Sequence, residues 1–176
     1  QSEWKSTMER QLLAISPKAR LLSVDYGKNP KDYQAAPIKI TFRYEIPDYA
    51  LRGEGEMFFR PMVMNNLYNQ VRSYIWIDTS VENRKYGFKD GCSRLVELDE
   101  TIQLPAGYKL VSAAKDETMQ GVGADFEGSL VQKGNKVLLH NRLALKKRVY
   151  EASDWESFRN AVNAHKAYGE YLVIKK

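Results

Sequence analysis

At 176 residues and 43% apolar content, the chain is long enough to bury one core and too short for several. Its longest apolar runs are only a few residues, far below the ~20 that a membrane-spanning helix needs, so no membrane insertion is expected. The net charge is +5, yet the surplus is dispersed: 13 Lys/Arg stand against 10 Asp/Glu in residues 1–88, and 14 against 12 in residues 89–176. A nucleic-acid binder concentrates positive charge on one face or arm, so no nucleic-acid partner is expected either. Cys92 is the single cysteine, which excludes an intrachain disulfide and a cysteine-based zinc site. The chain opens on Gln1-Ser2-Glu3-Trp4-Lys5, with neither an initiator Met nor a secretory signal, and is read as a piece of a longer protein.

Residues 3–15 form a predicted amphipathic helix, with Trp4, Met8, Leu12 and Ile15 on one face. Ser16-Pro17 ends it, because proline disfavours helix in the residue before it. Leu21 to Tyr26 reads as a first strand and Gly27-Lys28-Asn29-Pro30 as a loop. In residues 38–46, Ile38, Ile40, Phe42, Tyr44 and Ile46 alternate with polar residues, the pattern of an antiparallel strand with one dry face. Met57 to Val63 is a strand in which Pro61 predicts an edge or a bulge. Arg72 to Asp78 alternates again, with Tyr74 and Trp76 on one face. From Leu95 to Leu104, Val96, Leu98, Ile102 and Leu104 point inward; Glu100 interrupts that face and predicts a bulge.

A strand through Phe126 and Leu130 leads into a Gly134-Asn135 hairpin, and Val137, Leu139, Asn141, Leu143 and Leu145 alternate on the return. Ser153-Asp154-Trp155-Glu156 has the form of a capping box with Ser153 as the cap. Trp155, Phe158 and Val162 make the stripe of the helix that follows, Gly169 marks its exit, and Tyr171 to Ile174 closes the chain as a strand. The reading is a mainly β protein: an antiparallel β-sandwich over residues 21–176, a helical connection over 1–20, and one C-terminal helix packed on a sheet.

Residues suited to chemistry are sparse. Cys92, His140 and Asp154 follow the chain order Cys, His, Asp of a thiol triad. Such a nucleophile needs a thiol acidified by a helix N-terminus and an imidazole, and Cys92 sits in a turn that runs into a strand. Asp154 suits the first turn of a helix, where its charge complements the dipole. No catalytic residue is therefore assigned. His140 and His165 lack a second histidine at ligand spacing, so no metal or cofactor is expected. Gly121-Val122-Gly123 resembles a fragment of a dinucleotide fingerprint without its βαβ context. Lys146-Lys147-Arg148 reads as a solvated strand end. Tyr74, Trp76 and Tyr86 are the candidate binding residues, as a stacking surface for sugar rings or a protein partner.

Several segments in order carry a resemblance: Arg84-Lys85-Tyr86, Ile102-Gln103-Leu104-Pro105-Ala106-Gly107-Tyr108-Lys109, Gly134-Asn135, Tyr150, Trp155-Glu156-Ser157-Phe158-Arg159 and Tyr171-Leu172-Val173-Ile174-Lys175. Together they resemble the C-terminal domain of unknown function that follows a transglutaminase-like domain in Bacteroidetes multidomain proteins. The chain departs from that pattern after Tyr86, where relatives carry proline and an aliphatic residue and this one carries Gly87-Phe88. The resemblance implies a non-catalytic accessory domain of a secreted or periplasmic protein. Its partner would be the neighbouring transglutaminase-like, peptidase-like domain of the same parent chain. The alternative is a glycan- or protein-binding module that uses the aromatic face or the sheet edge near Pro61.

Overall fold

The computed structural model describes residues 2–27, 39–65, 75, 77–113 and 115–176. The expectations for Lys28-Asn29-Pro30, for Ile38, and for the strand carrying Tyr74 and Trp76 lie outside the described residues, as does the side chain of Trp4. The chain forms two compact units, one built from residues 1–49 and the other from 50–65 and 73–176 together.

In the first unit, helix α1 (Ser2–Ile15) is followed by strands β1 (Arg20–Asp25) and β2 (Thr41–Glu45). Leu12 is its buried helical anchor. The two strands pair antiparallel, with a register shift between Leu21 and Ser23 that leaves Leu22 out of the ladder and exposed. Alternation puts Phe42 and Tyr44 on one face of β2, with ring centroids 5.7 Å apart.

The second unit is sandwich-like and antiparallel throughout. Its short strands are β3 (Leu51–Arg52), β4 (Glu56–Phe59), β5 (Phe88–Lys89), β7 (Lys109–Leu110), β11 (Val149–Tyr150) and β12 (Leu172–Lys175). The longer ones are β6 (Arg94–Gln103), β8 (Lys115–Met119), β9 (Ala124–Lys133) and β10 (Lys136–Leu145), with helices α2 (Met62–Asn65) and α3 (Trp155–Ala167). One sheet has the order β6-β10-β9-β8, a second β3-β4-β12-β7, and β11 pairs with β5. Strands β9 and β10 are joined by the two-residue turn Gly134-Asn135, and Gly134 takes φ 61°, as a tight hairpin requires. Ala124, Phe126 and Leu130 of β9 and Val137, Leu139, Leu143 and Leu145 of β10 are buried on one face of the first sheet. Glu97, His140, Arg142 and Glu127 lie on the other.

Glu100 corrects one expectation. β6 pairs with β10 without interruption from Arg94↔Leu145 to Gln103↔Lys136, so there is no bulge. The carboxylate points inward because it accepts the amides of Met62 (3.1 Å) and Val63 (3.0 Å) at the start of α2. Burial raises its pKa, and those two amides oppose the rise. A second correction concerns Pro61. It lies beyond β4, which ends at Phe59 and is paired with β3 on one side and β12 on the other. Pro61 itself is fully buried, so it marks no open strand edge.

Helix α3 lies over the buried face of β9 and β10. Its stripe falls where the sequence periodicity places it: Trp155, Phe158 and Val162 are all at most 2% exposed. The rings of Phe88 and Tyr150 stack nearly parallel, 4.6 Å apart, and Phe158 and Trp155 close on them edge-on. Gly87 allows that stack. A Cβ there would sit 2.6 Å from the Tyr150 carbonyl oxygen, so the Gly87-Phe88 departure builds a local aromatic core. Gly128 does the same under Tyr168, where a Cβ would meet ring atoms at 2.7 Å. The capping residue is not Ser153, which is exposed. A 3-10 turn (Ala152–Asp154) precedes α3, and the Asp154 carboxylate accepts the Glu151 amide (2.9 Å) and both bonds of Lys147 (2.8 and 2.9 Å). The Lys147 ammonium, with the Glu151 amide, holds the Asp154 carboxyl below its usual pKa. Ser153→Ala should therefore change unfolding free energy by less than about 0.5 kcal/mol, whereas Asp154→Ala should cost about 1–2 kcal/mol in urea titrations.

The same face buries one polar pair. Asn141 Oδ1 meets His165 Nδ1, which fixes the proton on that nitrogen, and Asn141 Nδ2 donates to the His165 carbonyl oxygen (3.4 Å). Burial lowers the His165 pKa from 6.5 to about 4, and Lys166 adds to the effect. The folded state thus resists protonation that the unfolded chain accepts. Stability is complete above pH 6.5 and falls as pH drops toward 4, by about 3 kcal/mol across the window. Melting curves between pH 7 and pH 4 should show this fall, and His165→Gln should flatten it.

Candidate binding surface

The three residues in triad order are not brought together. Cys92 is exposed in the loop between β5 and β6. His140 lies on the polar face of β10, with Nδ1 2.7 Å from Oδ1 of its cross-strand partner Asp99. Asp99 is five residues along β6 from Arg94, about 16 Å of strand. Asp154 is on the opposite, helix-covered side and is committed to Lys147 and Glu151. Among the described residues, no three His, Cys, Asp or Glu side chains gather as a metal site would require.

Tyr86 is 73% exposed, with the Lys85 ammonium 5.5 Å from its ring centre. Tyr74 and Trp76, its expected companions, lie outside the described residues. The basic run is largely occupied: Lys146 binds Asp125 (2.7 Å) and the Gly121 carbonyl oxygen (2.9 Å), while Lys147 binds Asp154.

Gly121-Val122-Gly123 has a packing role. A Cβ on Gly121 would lie 2.4 Å from Ser157 Cβ, and one on Gly123 would lie 3.1 Å from the Asp154 carbonyl oxygen. The loop presses against the first turn of α3. There the Gly123 amide donates to Ser157 Oγ (3.2 Å) and the Gly121 amide donates to Asp125 (3.1 Å). Between the two glycines, Val122 is held outward at 70% exposure.

The sequence reading missed a furrow across the start of α3. One part, about 440 Å³, is lined by Glu82, Asn83, Arg84, Glu156, Arg159 and Asn160, with Ser153 at its margin. A second part, about 420 Å³, shares Ser153, Glu156 and Asn160 and continues to Met119 and Val122. The far wall is the segment from Thr79 to Arg84, which α3 grips at several points. Arg159 Nε donates to the Thr79 carbonyl oxygen (3.1 Å), Lys166 to the Thr79 hydroxyl (3.1 Å), and Trp155 Nε1 to the Val81 carbonyl oxygen (3.1 Å). The Arg84 guanidinium lies 4.3 Å from the Trp155 ring centre and 4.9 Å from that of Phe88. On α3, Glu156 and Asn160 share a face at i, i+4 spacing, a pattern indistinguishable in sequence from any solvated helix face.

A model of the family designated DUF3858, a domain of unknown function with a solved structure, matches residues 55–173. The chain belongs to this family. All the groove residues fall within the matched span, as do Tyr86, Cys92 and His140. No curated protein matches the chain. Among solved structures, one from Parabacteroides distasonis described as a "putative protease" is similar at 13% identity and a TM-score of 0.49. The match covers 56% of this chain and 20% of that one.

The contact between loop and helix is directly testable. Gly121→Ala should lower stability by about 1–3 kcal/mol through overpacking against Ser157, while Val122→Ala leaves urea unfolding unchanged.

Proposed function

We propose that this DUF3858 domain is a non-catalytic accessory domain of a secreted or periplasmic parent, whose catalytic work belongs to a neighbouring transglutaminase-like domain. The observation that carries the reading is the dispersal of Cys92, His140 and Asp154 over a loop and two opposite sides of a sheet, with both His140 and Asp154 engaged elsewhere. A thiol without a neighbouring base or helix N-terminus is a poor nucleophile. The resemblance read in the sequence is what supports this partner and this compartment. Among the described residues, no helix is long and apolar enough to cross a membrane.

In this role the domain stabilises the catalytic domain or shapes its cleft. Peptide and amide substrates offered to this chain should show no turnover. Turnover that Cys92→Ala abolishes would sink the proposal. In a parent that contains both domains, removing this one should lower the melting temperature of the catalytic domain by several degrees, and an unchanged melt would contradict the stabilising role.

A second reading, a binding module, draws on one observation. Tyr86 leaves an aromatic ring three-quarters exposed beside a lysine, an arrangement suited to contact with a sugar ring or a protein side chain.

A further inference from the structure

We propose that the furrow at the start of α3 is a binding site for a neutral hexopyranose oligosaccharide, separate from Tyr86 and independent of the accessory role. Its two parts, about 440 and 420 Å³, meet over Ser153, Glu156 and Asn160, and each lies within the range of small-ligand sites.

The lining chemistry selects the ligand class. Glu82, Arg84, Glu156 and Arg159 bring two negative and two positive charges to one groove. The formal charges cancel, so neither an anion nor a cation is favoured. What remains is a set of planar carboxylate, guanidinium and amide groups, each offering paired donors or acceptors. Vicinal hydroxyls, which both donate and accept, match such pairs.

Two of the polar groups in the walls are fixed before any ligand arrives. Arg84 is laid flat on Trp155 and Phe88, and Arg159 is tethered through Nε to the Thr79 carbonyl oxygen. Fixed polar groups lose little entropy on binding. Trp155 is only 2% exposed and is not a stacking platform. The apolar contact a sugar's C–H face requires comes from the second part of the furrow, where the clamped loop holds Val122 out at 70% exposure beside Met119. That placement favours an extended chain of sugars over a single ring. A peptide anchored by apolar side chains would find room for them only beside Val122 and Met119; the first part of the furrow is polar apart from Ala152 and the buried Trp155.

The test is an NMR titration of the isotopically labelled full chain with cellotriose, maltotriose and triacetylchitotriose up to about 10 mM, a range that captures weak sites. At least one trisaccharide should cause saturable shifts at the amides of residues 82–84 and 153–160. Asn160→Ala and Glu156→Gln, both exposed positions, should weaken it about tenfold with unchanged melting temperatures, while Tyr86→Ala leaves it intact. The proposal is overturned if none of the three shifts these amides. It is equally overturned if trialanine shifts them and no sugar does, or if the sugars act near Tyr86 and Tyr86→Ala abolishes the response. None of these failures bears on the accessory role, which the turnover and melting experiments decide.

Discussion

The stack of Phe88 on Tyr150, closed by Phe158 and Trp155, is the contact that orders the rest of the second unit. It joins three pieces of chain that no local rule connects: the segment after Tyr86, the β11 strand and the first turn of α3. Burying Tyr150, Trp155 and Phe158, with Phe88 half-buried against them, removes a large apolar area from water, the main favourable term in a domain of this size. Once Trp155 is seated, its indole fixes Val81, and Arg84 lies across its face. Once Phe158 is seated, α3 lies along β9 and β10 and brings His165 to Asn141. The far end of the helix is held by Lys115, which donates to the Ala167 carbonyl oxygen (3.2 Å) and lies over the Tyr168 ring.

The furrow is a by-product of that order. A helix laid on a sheet exposes its polar side, and a pinned loop beside it turns that side into a wall. Chemistry-bearing residues therefore collect where two structural elements meet, not where the sequence bunches reactive side chains. The same logic explains why Cys92, His140 and Asp154 stand apart: chain order placed them on surfaces that packing then separated.

The strands, the hairpin and the apolar stripe of α3 were legible because each follows from a period of two or 3.6 along a few residues. What was not legible depends on partners far along the chain. Glu100 breaks the apolar face of β6, and nothing local shows that two amides at Met62 and Val63 await it. Gly121 and Gly123 look like part of a nucleotide loop until Ser157, more than thirty residues later, is seen to occupy the space their side chains would fill. Ser153 has the form of a cap in sequence, yet Asp154 stands at the start of α3 and turns its carboxylate back to the Glu151 amide and Lys147. Of the candidate stacking residues, Tyr86 is exposed, and Tyr74 and Trp76 lie outside the described residues.

The position of β12 bears on how the protein is made. It is not an edge strand: it lies between β4 and β7, and Phe59 pairs with Leu172. During synthesis, β4 therefore emerges long before its second neighbour, by roughly ten seconds at ordinary elongation rates. The long β9–β10 hairpin closes on its own as soon as both arms clear the ribosome, since its contacts are local. The second sheet must wait with one edge of β4 open, the state in which strand edges pair with the wrong chain. Nascent copies of this protein should thus rely on chaperone shielding between the completion of the hairpin and the emergence of β12.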